Sequence, residues 1–317
     1  MRVPIKFTII VVALLSAALV GGFWRWNNGA QLEALGFAVE YEIPPIASVL
    51  PHQAEPIVTF ISKRCWRVSE VEISDRELTD SNMRMLARFH DLRSLTLRRV
   101  RVPENWCGYL SSWPKLETLD LVGFQLSTTD VLAISRVQKL KSLTCAKCDL
   151  AESSLMLFTS NGVLTDLNLM GSPITDVGLE YLNTIPSLHM LSVTCETVDN
   201  RTVTILASMP HIVDLKVAFV GTVSGPLLNL RKSHCLKSLY LRGMALDRSV
   251  LLMLSDLPAI ENLQITDCHL LEGDLLCLTN VASLRYLSFN QSGVSLATID
   301  RLRAQLPRCT VHSEDDQ

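Results

Sequence analysis

With 317 residues, 48% hydrophobic and 19% charged, the chain can bury a sizeable core, and intrinsic disorder is excluded. Its 29 Lys and Arg against 32 Asp and Glu leave a net charge of −3, too balanced for a dedicated nucleic-acid binder. Aromatics are scarce at 6%, whereas 53 residues are Leu, concentrated after residue 78.

Phe7 to Trp24 is an uncharged stretch of 18 residues. As a helix it would span about 27 Å, close to the hydrocarbon thickness of a bilayer. Arg2, Lys6 and the terminal amine precede it and only Arg25 follows closely, so the N-terminus is expected inside and the remainder exported. A cleaved signal peptide competes, with Phe7 to Val20 as its apolar region and Val20 and Gly22 as small residues before a cut. Trp24 and Trp26 favour an uncleaved anchor, because aromatic rings prefer the membrane interface. The expectation is a single-pass protein of the cytoplasmic membrane with its C-terminal part exported, and secretion after signal cleavage is the alternative. Residues 1–26 hold three basic and no acidic side chains, which leaves the exported part at −6.

Phe37, Val39 and Tyr41 alternate with Ala38, Glu40 and Glu42 and predict one strand. Pro44, Pro45, Pro51 and Pro56 mark irregular structure, and Ile57, Phe60 and Ile61 then recur at helical spacing. Residues 27–67 read as an N-terminal cap, because the open end of a repeat array would expose apolar edges.

From Val68 onward, L-x-x-L-x-L patterns recur with a period of 24 and no insertion. Starts fall at Val68, Leu92, Leu116, Leu140, Leu164, Leu188, Ile212, Leu236, Ile260 and Leu284, with a degraded eleventh at Arg308. Counting the first residue as offset zero, offsets 0, 3, 5, 10, 15 and 18 are apolar at 59 of 60 positions, Thr222 being the exception. Offsets zero, three and five belong to a short strand, and fifteen and eighteen lie one helical turn apart on a returning segment. No single unit can bury its own stripe, so neighbours must stack. Offset eleven supplies a helix-capping side chain in six copies: Thr79, Ser127, Thr175, Asp199, Asp247 and Ser295. Pro114, Pro186, Pro210 and Pro258, with Pro307 one place later in its repeat, end the return and lead into the next strand.

This pattern resembles the leucine-rich repeat family over about Val68 to Ser313. Ile174-Thr175-Asp176-Val177-Gly178-Leu179-Glu180-Tyr181-Leu182 is similar to the return segment of its cysteine-containing and bacterial subtypes, and Leu32 to Tyr41 resembles the lead-in of membrane-anchored bacterial members. The resemblance implies an α/β solenoid, with a curved parallel sheet on the concave side, short helices on the convex side, and a role in binding macromolecules. Offset eight departs from an Asn ladder: it holds Cys148, Ser172, Cys268 and Ser292 but also Arg76, Val100, Phe124 and Met244, so an ordered ladder there is not expected. The layout is a signal anchor at 1–26, a cap and Pro-rich lead-in at 27–67, ten repeats at 68–307 and a degraded repeat with an acidic tail at 308–317.

Nine cysteines are present. Cys107 and Cys145 replace core residues and are read as small buried hydrophobes, while Cys148 and Cys268, five repeats apart, lie beyond disulfide reach. Cys145-Ala146-Lys147-Cys148 has redox or zinc spacing but falls across a strand end with no second pair, so packing is the preferred reading. The seven histidines match no metalloprotease motif, and Gly221-Thr222-Val223-Ser224-Gly225 lacks nucleophile-elbow spacing. The sequons at Asn200 and Asn290 carry no weight here. No catalytic residue, cofactor or metal is expected.

The face of the sheet remains. Met190, Val213 and Tyr240 fall at outward offsets, with Lys216 among them, Phe219 just beyond a strand and Tyr286 two repeats on. Exposed aromatic and Met side chains close together make binding hot spots. Residues 61–101 carry +4, including Arg93, Arg98, Arg99 and Arg101 as a basic patch, and residues 255–317 carry −5. That polarity could meet an anionic surface or steer head-to-tail self-association. The expected function is non-catalytic, membrane-anchored recognition of a protein or other macromolecule through the concave sheet. A self-assembling structural protein of the bacterial envelope is the alternative.

Overall fold

A computed structural model of the protein describes residues 33, 37–42, 67–196, 199–219, 230 and 233–313. The apolar stretch Phe7 to Trp24, the prolines between 44 and 56, the spacing at 57–61 and the tail 314–317 lie outside the described residues. Among the described residues no helix is long and apolar enough to cross a membrane. The chain divides into two compact units, Met1–Asp120 and Leu121–Gln317.

In the first unit, the strand expected from alternation is Ala38–Glu42, which pairs antiparallel with Arg67–Ser74. Ser94–Arg98 pairs parallel to Arg67–Ser74 on its other side, with Val71 opposite Leu95 and Ile73 opposite Leu97. A helix at Asp80–Leu86 and a 3-10 helix at Trp106–Ser112 form the returns. The unit boundary falls inside the strand Thr118–Val122.

In the second unit, the strands Ser142–Ala146, Asp166–Ile174, Met190–Cys195, Asp214–Phe219, Ser238–Arg242, Asn262–Thr266, Tyr286–Asn290 and Thr310–Ser313 pair parallel, each with the next. The register advances by one period per strand, so Leu143, Leu167, Leu191, Leu215, Leu239, Leu263, Leu287 and Val311 form one row. No member of that row is more than 4% exposed. Each such side chain stabilises the stack by about 1.5–3 kcal/mol relative to exposure.

The capping column decides the form of the return. Thr79, Ser127, Thr175, Asp199, Asp247 and Ser295 are each the N-cap of an α-helix: Asp80–Leu86, Thr128–Ser135, Asp176–Asn183, Asn200–Ser208, Arg248–Ser255 and Leu296–Gln305. The repeats with Pro103, Ala151 and Leu271 in that column return instead through 3-10 helices, Trp106–Ser112, Glu152–Ser160 and Glu272–Asn280. The helical return expected from the capping column is thus α-helical in six described repeats and 3-10 in three. A residue without a side-chain acceptor leaves the first N–H groups of an α-turn unmet, and the tighter 3-10 turn replaces it. Packing follows the same division. At offset ten, Leu78, Leu126, Ile174, Leu246 and Val294 of the α repeats are buried, whereas Val102, Leu150 and Leu270 of the 3-10 repeats are half-buried.

The chain leaves most strands through a residue with positive φ at offset seven. Asp75, Arg99, Lys147, Asp267 and Gln291 lie at φ between 51° and 55°, and Gly123, Gly171 and Gly243 at 77° to 79°. A non-glycine residue there costs about 1–2 kcal/mol. A main-chain bond offsets it: the N–H of Asp75, Lys147 and Asp267 donates to Arg98, Met170 and Asn290 carbonyls, at 2.9, 2.8 and 2.9 Å.

At the last described strand, Thr310 donates its N–H inward to the Arg285 carbonyl at 2.8 Å. Alternation along the ladder turns the next residue, Val311, toward the open edge. Arg303 occupies that edge acceptor, donating from Nε at 3.2 Å and Nη2 at 3.0 Å to the Val311 carbonyl.

Candidate functional site

The exposed sheet face of the second unit is ordered by the same register. One row runs Thr144, Asn168, Ser192, Lys216, Tyr240, Gln264, Ser288, His312, and the row two residues earlier runs Ser142, Asp166, Met190, Asp214, Ser238, Asn262, Tyr286, Thr310. Lys216 and Tyr240 are direct cross-strand partners, both half-buried. Met190 lies opposite Asp214, two residues short of the Lys216 row, and is 38% exposed. Met190, Lys216 and Tyr240 therefore occupy three successive strands of one patch.

Val213 serves mainly as a main-chain junction: its carbonyl accepts from the N–H groups of Lys237 and Ser238 at 2.9 and 3.0 Å, and its side chain is half-buried. Phe219 ends the strand Asp214–Phe219 with its backbone opposite Cys195, and its side chain lies outside the described residues. Tyr286 is separated from Tyr240 by the strand Asn262–Thr266 and packs its ring against His312, with centroids 5.5 Å apart. His189 and His211 stack at 6.3 Å beside Met190 in the chain, and His189 Nδ1 lies 2.6 Å from the Ser187 carbonyl oxygen. These imidazoles were not singled out in the sequence as partners of the apolar patch. His312 lies one strand on from Tyr286 and two residues along, so their ring contact joins the two rows of the face.

The Asp214 Oδ1 atom is buried without a hydrogen-bond partner among the described residues. It sits between Met190 and Ser238 on the face.

In the first unit, the arginines of the basic patch meet carboxylates on a neighbouring strand. Arg93 pairs with Glu117 at 2.7 Å, Arg98 with Glu72 at 3.1 Å, and Arg99 with Asp75 through two bonds of 2.6 and 2.8 Å. Arg101 is exposed, and its main chain bridges Glu77. The Asp75 carboxyl is held below its ordinary range by the Arg99 guanidinium. Much of the positive charge of this patch is thus already matched locally.

Offset eight carries two local links, each confined to one pair of neighbouring repeats. The Cys148 N–H donates to Ser172 Oγ at 2.8 Å, and that hydroxyl donates to the Cys145 carbonyl at 3.1 Å. Cys268, Ser292 and Ile265 repeat the wiring at 3.4 and 3.4 Å. The small Cys and Ser side chains let hydroxyl and main chain meet where Phe124 or Met244 cannot. All eight described cysteines are free thiols. Among the described residues no group of three or more His, Cys, Asp or Glu could hold a metal ion.

On the return side, a groove of about 660 Å³ opens where the helix Thr128–Ser135 meets the 3-10 helix Glu152–Ser160. Leu132, Arg136, Met156 and Val163 line it, and Met156 and Val163 are 52% and 41% exposed.

No protein-family model matches the chain, and no curated protein matches it. Solved structures do. Internalin C2 from Listeria monocytogenes is similar at TM-score 0.47 and 15% identity, over 65% of this chain and 83% of that one. An internalin, inlF, from the same organism is similar at 0.45 and 16%, over 85% and 91%. A leucine-rich repeat protein from Leptospira interrogans is similar at 0.43 and 16%, over 72% and 62%. Within each unit the described parallel strands advance one period to their neighbours and bury their L-x-x-L-x-L side chains, and that architecture is a leucine-rich repeat solenoid.

Proposed function

We propose that the protein is a non-catalytic recognition module that binds a protein partner through the exposed sheet face of its second unit. One observation carries the reading: Met190, 38% exposed, stands with Lys216 and Tyr240 on an insertion-free run of three strands. A thioether and a phenol ring offer apolar area at small entropic cost, and Lys216 and Asp214 supply polar specificity at the centre of the patch. Asp214 stands opposite Met190 on the same face, and its Oδ1 has no hydrogen-bond partner among the described residues.

Photo-crosslinking amino acids placed singly at Met190, Tyr240 and, on the return side, Met156 of the full-length chain in cells test this. Adducts at 190 and 240 without one at 156 support the reading. An adduct at 156 alone moves the site to the return groove, and adducts equal at all three positions remove the claim of a defined face.

The same proposal places the N-terminal segment in the cytoplasmic membrane with the repeats exported, on the strength of the uncharged stretch Phe7 to Trp24 and the cations that precede it. Protease added to intact cells should degrade a C-terminal tag on a full-mass chain once any outer barrier is opened. Protection of the tag rejects export, and a mass reduced by the segment shows cleavage.

A further inference from the structure

The turns at Cys148 and Cys268 form an internal experiment. Both thiols are buried, at 6% and 3% exposure. Each donates to two carbonyls in equivalent places: Cys148 to Leu121 and Ala146, both at 3.5 Å, and Cys268 to Leu241 and Thr266 at 3.7 and 3.3 Å. Each main-chain N–H is held by a serine of the next repeat. Three residues earlier one turn has Cys145 and the other Ile265, and immediately before the thiol one has Lys147 and the other Asp267. The consequence for the thiols is opposite. A hydrogen bond from the Cys145 side chain, the largest influence, brings Cys148 down to about 7, whereas burial pushes Cys268 up.

Cys145 is in the strand Ser142–Ala146, and Lys147, at φ 52°, reverses the chain so that Cys148 returns toward it. The Ser172 hydroxyl lies 2.8 Å from the Cys148 nitrogen and 3.1 Å from the Cys145 carbonyl oxygen, so one side chain draws the main chains of the two cysteines together, and a disulfide needs Cα atoms about 4.4–6.8 Å apart. Lys147 and Asp149 on either side of Cys148 are exposed, so the turn itself lies at the surface.

We propose that Cys145 and Cys148 are a redox couple that closes a disulfide within this turn, with Cys148 as the attacking thiol. The oxidant is a low-molecular-weight disulfide such as oxidised glutathione. The Cys148 thiolate attacks one of its sulfurs, the glutathione S–S bond breaks, and one glutathione leaves as thiolate. Cys145 then gives its proton to water and displaces the second glutathione from Cys148. One protein disulfide and two glutathione thiols result, and the two protein thiols are the electron donors. The deprotonated fraction of the attacking thiol sets the rate, which separates Cys148 from Cys268 although their main-chain partners match.

The full-length protein is equilibrated with oxidised glutathione, quenched in acid, alkylated and digested with trypsin. Cleavage after Lys147 separates Cys145 from Cys148. The two peptides therefore stay joined only if the disulfide has formed. The expected result is a joined pair released by reductant, with Cys195, on the same peptide as Cys148, and Cys268 both alkylated. Cys145→Ile, which copies the sister turn, should abolish the joined pair and leave Cys148 alkylated to the same extent as Cys268. Complete alkylation of Cys145 and Cys148 in the oxidised wild type overturns the proposal, as does a persistent glutathione adduct or equal oxidation of Cys148 and Cys268. The wild-type result decides even if Cys145→Ile fails to fold.

Discussion

The Glu152 carboxylate accepts two hydrogen bonds from Thr175, one from its main-chain N–H at 2.7 Å and one from its hydroxyl at 2.6 Å. The N-cap of the helix Asp176–Asn183 is therefore held by a residue of the preceding repeat, and the Thr175 side chain makes no capping bond of its own. Glu272 holds Ser295 in the same way, at 3.2 and 2.6 Å. In both places the donor of the carboxylate is a 3-10 repeat and its beneficiary an α repeat. Capping and repeat-to-repeat coupling are here one interaction.

Glu152→Ala should cost about 1 kcal/mol, the usual worth of a cap. In a double-mutant cycle on urea unfolding, Glu152→Ala and Thr175→Val should couple by about 0.5 kcal/mol or more, because both remove the bond between the Thr175 hydroxyl and the Glu152 carboxylate. Strict additivity would show that the bond contributes nothing to stability.

Gly178→Ala separates packing from propensity. Alanine in a helix interior is worth about 1 kcal/mol over glycine. Here a Cβ would stand 2.5 Å from Ile174 Cγ2 and 3.2 Å from Glu152 Cδ. Overpacking of that kind costs about 1–3 kcal/mol, so the substitution should lower the urea midpoint. Gly273, in a 3-10 helix with nothing within 4 Å of its Cβ position, is the control, and Gly273→Ala should be neutral or mildly stabilising.

Acid should loosen the helix starts. Hydrogen bonds from Ser295 and Thr298 lower the Glu272 carboxyl below its ordinary value, the Thr202 and Arg201 N–H groups lower Asp199, and Ser249 and the Val250 N–H lower Asp247. A carboxyl depressed in the folded state stabilises above its unfolded pKa, about 4, and that contribution is lost as pH falls through the folded value. The urea midpoint should drop below about pH 4, and Asp247→Asn should make the drop shallower. An identical pH profile for the variant would show that Asp247 carries none of the effect.

Ser127→Ala tests the rule of the capping column. Ser127 accepts from the Asp130 N–H, and its own N–H donates to the Asp130 carboxylate at 2.9 Å. Its loss should cost about 0.5–2 kcal/mol. Amide exchange should quicken over Thr128–Ser135 while the 3-10 segment Glu152–Ser160 stays unchanged. An unaltered exchange pattern would detach the α form of the return from its cap.

The period, the buried columns, the six α-helical starts and the strand Ala38–Glu42 were all legible in the sequence. In a repeat of constant length, residues of one column become spatial neighbours whatever the details of twist, so column chemistry reads directly as contact. Five of the six capping side chains act within their own turn, and Thr175 is the exception, held by Glu152 of the preceding repeat. Relations between columns were decided by the tertiary structure. The left-handed exits escaped notice because Asp75, Arg99, Lys147, Asp267 and Gln291 are not glycines, and Asp75, Lys147 and Asp267 are met there by a carbonyl of the next strand. Glu152 reaching Thr175, Arg98 reaching Glu72 and Tyr286 meeting His312 each join different offsets of adjacent repeats. Such pairs depend on side-chain length and on how far one repeat slides against the next. Cys148 and Cys268 share a column and a set of main-chain partners, and their chemistry differs chiefly because Cys145 stands where the sister turn has Ile265, with Asp267 adding to the rise at Cys268.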